Sequence, residues 1–411
     1  MTSPATTASA HPAPLAIDPK WKKLPYVCIG IGIIGAIAGL ASDGLRQQFA
    51  HSYLLAYMFF LSICLGGLFL VIIHHLFDAA WSVPVRRINE HLAYLLPIMA
   101  GLFIPIAALA PKYIYGWMQI DPHADHALHA KQPLFSMGGF YGSAIAIFAV
   151  WCWLSWQLRR WSLEQDKTGS AKCTFALRKH SAYGVYLFGF SLTLAAIMWM
   201  KALEHQWFST MYGVYYFAGS VWVTLATLYV ITALLKRTGP LSGVVHRRQF
   251  YDIGVLWFAF TVFYAYIHFS QYFLIWNANI PEETYYYVKR EAGGWWDVGM
   301  LIIFGHFAIP FLLMLRIDFK LKLGVMVPLA VWAWLMHFCD MSFNIMPLIH
   351  PEGFKLHYLD LTCMALIGGV LATVFIKYFN AHPPYPIKDP RLGEALGVHE
   401  AGARPPIAAH S

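Results

Sequence analysis

Charge is scarce in this sequence. Asp, Glu, Lys and Arg make up 12% of 411 residues, where a soluble domain carries roughly 25%. That excludes an ordinary water-facing surface. Cysteine is also sparse, and Cys28, Cys64, Cys152, Cys173, Cys339 and Cys363 form no C-x-x-C pair. The spacing argues against a disulfide framework, a zinc site or iron–sulfur ligation, and reads as small apolar residues between helices. No basic and apolar leader precedes a cleavage site in the first residues. Phosphate-cradling glycine loops, a serine elbow and paired catalytic carboxylates are missing as well. Histidines stand singly at unrelated depths, without the facing pairs that haem needs. His123, Asp125, His126 and His129 fall in an outer loop without a fixed scaffold, so no metal is expected on this chain.

What the chain has is apolar length. Hydrophobic residues make up 58% and aromatic residues 17%. Runs of roughly 20 apolar residues can cross a bilayer, and backbone pairing in lipid forces them helical. Ten such spans are expected, near 24–41, 52–77, 92–110, 137–157, 181–202, 212–235, 251–276, 295–315, 323–343 and 358–379. Of the 29 basic residues, only Arg46, Lys112, Lys131, Lys201, Lys289, Arg290 and Lys355 fall on the side away from the N-terminus. This positive-inside asymmetry predicts cytoplasmic termini. The formal charge of +8 is therefore an orientation signal in short loops and no nucleic-acid face.

Short strings recur. Gly138-Gly139-Phe140-Tyr141 opens the fourth span and Gly293-Gly294-Trp295-Trp296 the eighth. Arg159 closes the fourth span and Arg316 the eighth. Met200-Lys201-Ala202-Leu203-Glu204 matches Met336-His337-Phe338-Cys339-Asp340. Spans two to five read as a parallel copy of spans six to nine. The expected architecture is all-α: two four-helix bundles, residues 51–210 and 211–345, with a peripheral first helix in 24–50 and a tenth in 346–380. Residues 1–23 and 381–411 read as tails, the latter disordered or covered by partners.

Ionisable residues within lipid cost several kcal/mol and need partners or a wet cavity. On the cytoplasmic side these are His74, His75, Asp78 and Asp252. Near mid-depth are His268, Gln271 and His306, and on the outer side Lys201, Glu204, His205, His337, Asp340 and Asp297. Lys201 with Glu204, His337 with Asp340, and His268 with Gln271 are spaced i, i+3; His74 with Asp78 is i, i+4. Each pair can share a helix face as a donor–acceptor relay. Headgroup-level histidines, a core His306 and loop placement of Lys201 and Glu204 are the plainer readings.

Phe269-Ser270-Gln271-Tyr272-Phe273-Leu274-Ile275-Trp276, running into Asn277-Ala278-Asn279-Ile280-Pro281-Glu282-Glu283, carries a resemblance. So does Glu204-His205-Gln206-Trp207-Phe208-Ser209-Thr210-Met211-Tyr212-Gly213. Both strings resemble the ActF-type membrane subunits of alternative complex III, within the NrfD-like family of polysulfide-reductase membrane subunits. The resemblance spans nearly the whole chain. It implies a bacterial inner-membrane subunit of a quinol:cytochrome c oxidoreductase without a redox cofactor of its own. Haem c and iron–sulfur clusters would sit on partner subunits: an iron–sulfur protein, a multihaem cytochrome c and an ActC-like homologous membrane subunit. Quinol or menaquinol would be the substrate, and a terminal oxidase a further partner. The implied proton path uses Asp78 and His74 inside, His268 and His306 midway, and His337, Asp340 and Glu204 outside. A secondary transporter and a purely structural scaffold are the rival readings.

Overall fold

A computed structural model describes residues 23–397. The described residues are helical without strands and include ten helices long and apolar enough to cross a membrane. The chain is an all-α polytopic membrane protein. The spanning helices are α1 (Leu24–Ala41), α2 (Asp43–Leu76), α3 (Val83–Ile114), α4 (Met137–Thr168), α5 (Ala171–Trp199), α6 (Tyr212–Arg237), α7 (Arg247–Ala278), α8 (Gly294–Leu315), α9 (Leu323–Leu348) and α10 (Tyr358–Ala381). The ends joined by the α2–α3, α4–α5, α6–α7 and α8–α9 connections form the basic face; the other is the far face.

Within each bundle the helices close a ring. In the first, α2 packs on α3 and α5, and α4 packs on α3 and α5. In the second, α6 packs on α7 and α9, and α8 packs on α7 and α9. The bundles meet where α2 touches α6 and α9, and α5 touches α6. Helices α2 and α6 occupy equivalent places and are the most buried. Their approach needs Gly66, because a Cβ there would collide with Thr224 and the Ser220 carbonyl of α6. Small residues allow such close packing where lipid offers no hydrophobic drive. Helices α1 and α10 pack on each other and against α2, outside both rings.

Two helices are irregular. Pro97, Pro105 and Pro111 break α3 into short segments, since each removes a backbone donor. Helix α8 winds as a π-helix over Ile302–Ala308. Pro310 has no N–H to return to that turn, and the Trp332 indole donates to the Gly305 carbonyl at 2.8 Å. The partners of these helices in the repeat, α7 and α4, are continuous. The breaks therefore do not form the matched pair of unwound helices typical of inverted-repeat transporters.

Three expectations need correction. Helix α4 does not end at Arg159 but continues to Thr168, where Gly169 (φ 65°) caps it in the left-handed region. Arg159 is buried instead, over the rings of Tyr94 and Tyr378 and within 2.8 Å of His91 Nδ1. The C-terminal stretch through Gly397 is folded as a strap across the basic face. Asp389 accepts from Arg86 at 2.5 Å, Arg391 reaches Asp78 at 2.5 Å, and the Ile387 amide donates to Asp166. Its Pro, Gly and Ala content suggested disorder; two ion-pairing side chains and a backbone hydrogen bond overcome it. Third, the i, i+4 pairing of His74 with Asp78 does not form. Helix α2 ends at Leu76, and Asp78 lies beyond it in a left-handed conformation (φ 52°). The expected tail residues 1–22 and 398–411 lie outside the described residues.

Candidate functional site

The stripe Trp257, Thr261, Tyr264, His268, Gln271 repeats every three or four residues along α7. Tyr212, Tyr215, Gly219 and Trp222 form the matching stripe on α6, and His337, Asp340 and Asn344 that on α9. Helical spacing directs the three stripes inward, where they meet the π-helical turn of α8. Gly219 leaves room there: a Cβ would sit 3.5 Å from His337. Gly305 lets α8 close on α9, since a Cβ there would strike Met336.

The centre is a fully buried trio, His306, His337 and Asp340, whose donor atoms all lie within 4.8 Å of one another. His306 is sandwiched between Trp222 and Tyr264, with ring centroids 3.7 and 3.8 Å away. His337 Nε2 pairs with Ser62 Oγ of α2 at 2.9 Å, across the bundle boundary. The Tyr215 hydroxyl donates to Asp340 Oδ1, and the Tyr264 hydroxyl donates to that of Tyr215 at 3.4 Å. Both nitrogens of His306, Nδ1 of His337 and Oδ2 of Asp340 are buried without a protein partner. Buried polar atoms are costly unless satisfied. Unpartnered polar atoms on three neighbouring buried side chains mark a place built for protons, water or an ion. Two imidazoles and a carboxylate also have the composition of a divalent-metal site.

From Asp340 a hydrogen-bonded chain runs to the far face. Asn344 Nδ2 donates to Tyr215 at 2.9 Å, and Tyr212 and Tyr286 donate to Asn344 Oδ1 at 3.0 Å. Arg290 stacks 3.5 Å over Tyr286, donates to the Asn344 carbonyl at 3.2 Å and pairs with Glu204 at 3.0 Å. Lys289, more than half exposed, reaches the other Glu204 oxygen at 3.3 Å. Arg290 thus links the Asp340 group to the outer carboxylate.

His337, Asp340, His306 and Glu204 are therefore brought together, though His337 and Asp340 do not bond each other directly. Glu204 does not pair with Lys201. Helix α5 stops at Trp199 and Lys201–Glu204 is a 3-10 turn, from which Glu204 points to Arg290. His268 and Gln271 diverge. Gln271 accepts from Ser209 and donates to Tyr287, both at 2.9 Å, while His268 lines a cavity between α7 and α8. Asp297 is exposed in the first turn of α8. Asp252 stays at the basic end of α7, 3.9 Å from Arg248.

The basic-face residues belong to a separate group. His74 pairs with Ser82 at 2.5 Å and with Arg86 at 2.8 Å, and Asp78 pairs with Arg178 and Arg391. The group extends to Arg87, Glu90 and Asp166, all buried. Along α2, buried Leu65, Leu68, Val71 and Ile72 lie between Ser62 and His74.

Lys201 is buried beside Phe135 with Lys131 as its neighbour. Lys131 itself donates to the carbonyls of His205, Gln206 and Trp207. Burial, with repulsion from Lys131, pushes the Lys201 ammonium down to about 7 from 10.5. The folded state thus binds fewer protons than the unfolded chain between these values, so stability rises with pH across that window. The melting temperature of the purified protein is expected to increase by a few degrees from pH 7 to pH 9. Lys201→Met is expected to flatten that slope. A slope unchanged in the variant would remove Lys201 as its source.

Sequence reading missed Tyr215, Tyr264, Asn344, Ser62 and Arg290. Asn344 was within reach, four residues after Asp340 on the same face. The two tyrosines are hidden among 23, and Arg290 was counted only as a basic residue of the outer side. No family model matches this chain, and no curated protein matches it either.

Proposed function

We propose that this chain is an ActF-type membrane subunit of a bacterial quinol:acceptor oxidoreductase, and that it conducts protons through the second bundle. The observation that carries the reading is the hydrogen-bonded series that joins two titratable ends, Asp340 and Glu204, through Tyr215, Asn344 and Arg290; the Asn344 amide and the Arg290 guanidinium hold those ends in line and release no proton themselves. Quinol oxidation releases protons with electrons, and a base must accept them. Asp340 is fully buried beside two histidines, the residue type that titrates nearest working pH. Tyr215 can pass a proton by giving one and taking another at the same hydroxyl. Glu204 with Lys289 is the terminus nearest water.

The basic-face group stands on the opposite side, separated from the trio along α2 by buried Leu65, Leu68, Val71 and Ile72. Glu90, held by Arg86 and Arg87, stands at the inner edge of the first bundle. Partner subunits holding haem c and iron–sulfur clusters would carry the electrons. The positive-inside distribution orients the basic face to the cytoplasm of a bacterial inner membrane.

Affinity purification from native membranes tests the assembly. Haem-staining cytochromes are expected to co-elute, with quinol-dependent cytochrome c reduction in the same fraction. A colourless preparation of this chain alone, stable as a homodimer, would sink the reading.

A further inference from the structure

We infer that His306, His337 and Asp340 form a binding site for a divalent transition-metal ion of the zinc, cobalt and nickel class. The three side chains are fully buried, and their donor atoms lie within 4.8 Å of one another. The hydrogen bonds around them aim lone pairs, not protons, at the shared space. Ser62 Oγ has one proton, and the Phe59 carbonyl takes it at 2.6 Å. The hydroxyl therefore accepts from His337 Nε2 at 2.9 Å. That leaves Nδ1, which has no partner, as the unprotonated nitrogen of a neutral imidazole. Asp340 repeats the arrangement. Its Oδ1 accepts from the Tyr215 hydroxyl and its Oδ2 has no partner, so no cation pairs with this carboxylate among the described residues. His306, held between the rings of Trp222 and Tyr264, has both nitrogens unpartnered, and a neutral imidazole keeps one of them unprotonated. Acceptors that face one another in a buried space call for a cation, and buried carboxylates are paired or coordinate metals.

The surrounding contacts are those a metal centre uses. A ligating imidazole donates its other N–H, which fixes ring and tautomer, and a ligating carboxylate is itself hydrogen-bonded. Ser62 does the first for His337 and Tyr215 the second for Asp340. Two imidazoles with one carboxylate select zinc-class ions over Mg²⁺ and Ca²⁺, which take oxygen ligands. Three protein ligands leave a further position for water. Gly219 keeps space beside the set, since a Cβ there would stand 3.8 Å from His337 Nδ1. Tyr264 separates the trio from the cavity between α7 and α8, and Glu291, exposed at the far face, lines the same cavity. The ion's way in therefore passes the Tyr264 ring. A metal here departs from the sequence expectation, which missed it because His306 comes from α8 and the other two ligands from α9.

The test uses the full chain without a polyhistidine tag, purified in detergent and stripped with a chelator. His123 and His129 are exposed, with ring centroids 5.7 Å apart, so His123→Ala and His129→Ala are introduced to remove a competing surface pair. Titration with Co²⁺ is expected to give a visible ligand-field band that saturates at a single site. Zn²⁺ should displace the Co²⁺ and erase the band, while Ca²⁺ and Mg²⁺ should not. His337→Gln and Asp340→Asn each remove a ligand and should lose the band in protein that elutes as a single species. Ser62→Ala keeps all three ligands but loses the contact that sets the His337 tautomer. It should keep the band and weaken binding by roughly 10–100-fold. Absence of a saturable band, a band unchanged in both ligand variants, or displacement by Ca²⁺ would each overturn the inference. A bound ion occupies the carboxylate oxygen that the proposed function uses for protons, so Zn²⁺ is expected to slow proton movement in vesicles; that consequence alone rests on the proposed function. A chain that binds no Co²⁺ while its proton movement still depends on Asp340 would overturn the metal site and leave the proton-handling reading in place. Saturable binding in a chain whose proton movement ignores both Asp340→Asn and Zn²⁺ would uphold the metal site and remove that reading.

Discussion

Asp340→Asn is expected to lower proton-coupled quinol turnover in the purified complex by about 100-fold or more, the range for losing a positioned general base. Asparagine preserves size and still accepts from the Tyr215 hydroxyl. What it loses is the ability to take and release a proton between Tyr215 and the two histidines. The fold should be nearly unaffected, since the substitution keeps the side-chain volume and the Tyr215 hydrogen bond. Reconstituted vesicles with an entrapped pH dye would report proton movement, and a cytochrome c reduction assay would report turnover in the same preparation. Wild-type proton yield and wild-type turnover together would remove Asp340 from the mechanism. Loss of both, with an unaltered melting temperature, would separate a chemical role from a structural one.

The second large effect is on stability. Glu90→Ala is expected to destabilise the protein by about 3–5 kcal/mol, the cost of stripping one partner from a buried ion pair. Glu90 accepts from Arg86 at 3.0 Å, from Arg87 at 2.5 Å and from Ser162 at 2.7 Å, and all four side chains are buried. Removing the carboxylate leaves two guanidinium groups with only Asp389 and Asp166 as acidic partners. Glu90→Gln should cost less, because it keeps acceptor capacity and volume. A denaturant titration of the detergent-solubilised protein, followed by tryptophan fluorescence, measures both. A loss below about 1 kcal/mol in the alanine variant would mean that water reaches these arginines and that the ionic group is not a dry structural core.

The two experiments address different halves of one design, and the sequence discloses those halves unequally. The ten spans are legible because hydrocarbon thickness and apolar run length are directly linked. The doubled bundle is hinted at by matching strings, although Lys201 lies in the 3-10 turn beyond α5 while His337 lies within α9. The pairings within those strings are not. Glu204 follows Lys201 by three residues, yet its partner is Arg290, 86 positions away in sequence. Helical spacing restricts which residues share a face, but it does not say which neighbouring helix that face meets. The same limit explains Arg86, Arg87 and Arg159. Each reads as a loop cation marking the membrane edge, and each is buried because a carboxylate, a histidine or an aromatic face from another helix covers it. Apolar periodicity did not distinguish His306 from an ordinary core histidine either. Its place depends on a π-helical turn that the local sequence hints at only through Gly305 and Pro310.

That turn fixes an angular register over the whole outer half of α8. One additional residue in a helical turn offsets everything upstream by about 100° relative to continuous α-helical winding. Winding the stretch as plain α-helix would push each upstream residue back by one slot, so that Val298, now buried, would turn into the exposed slot of Asp297. The irregular winding thus works like a vernier between two scales: it lets the first turn keep Val298 facing inward while an imidazole a few turns below stays aligned between two aromatic plates.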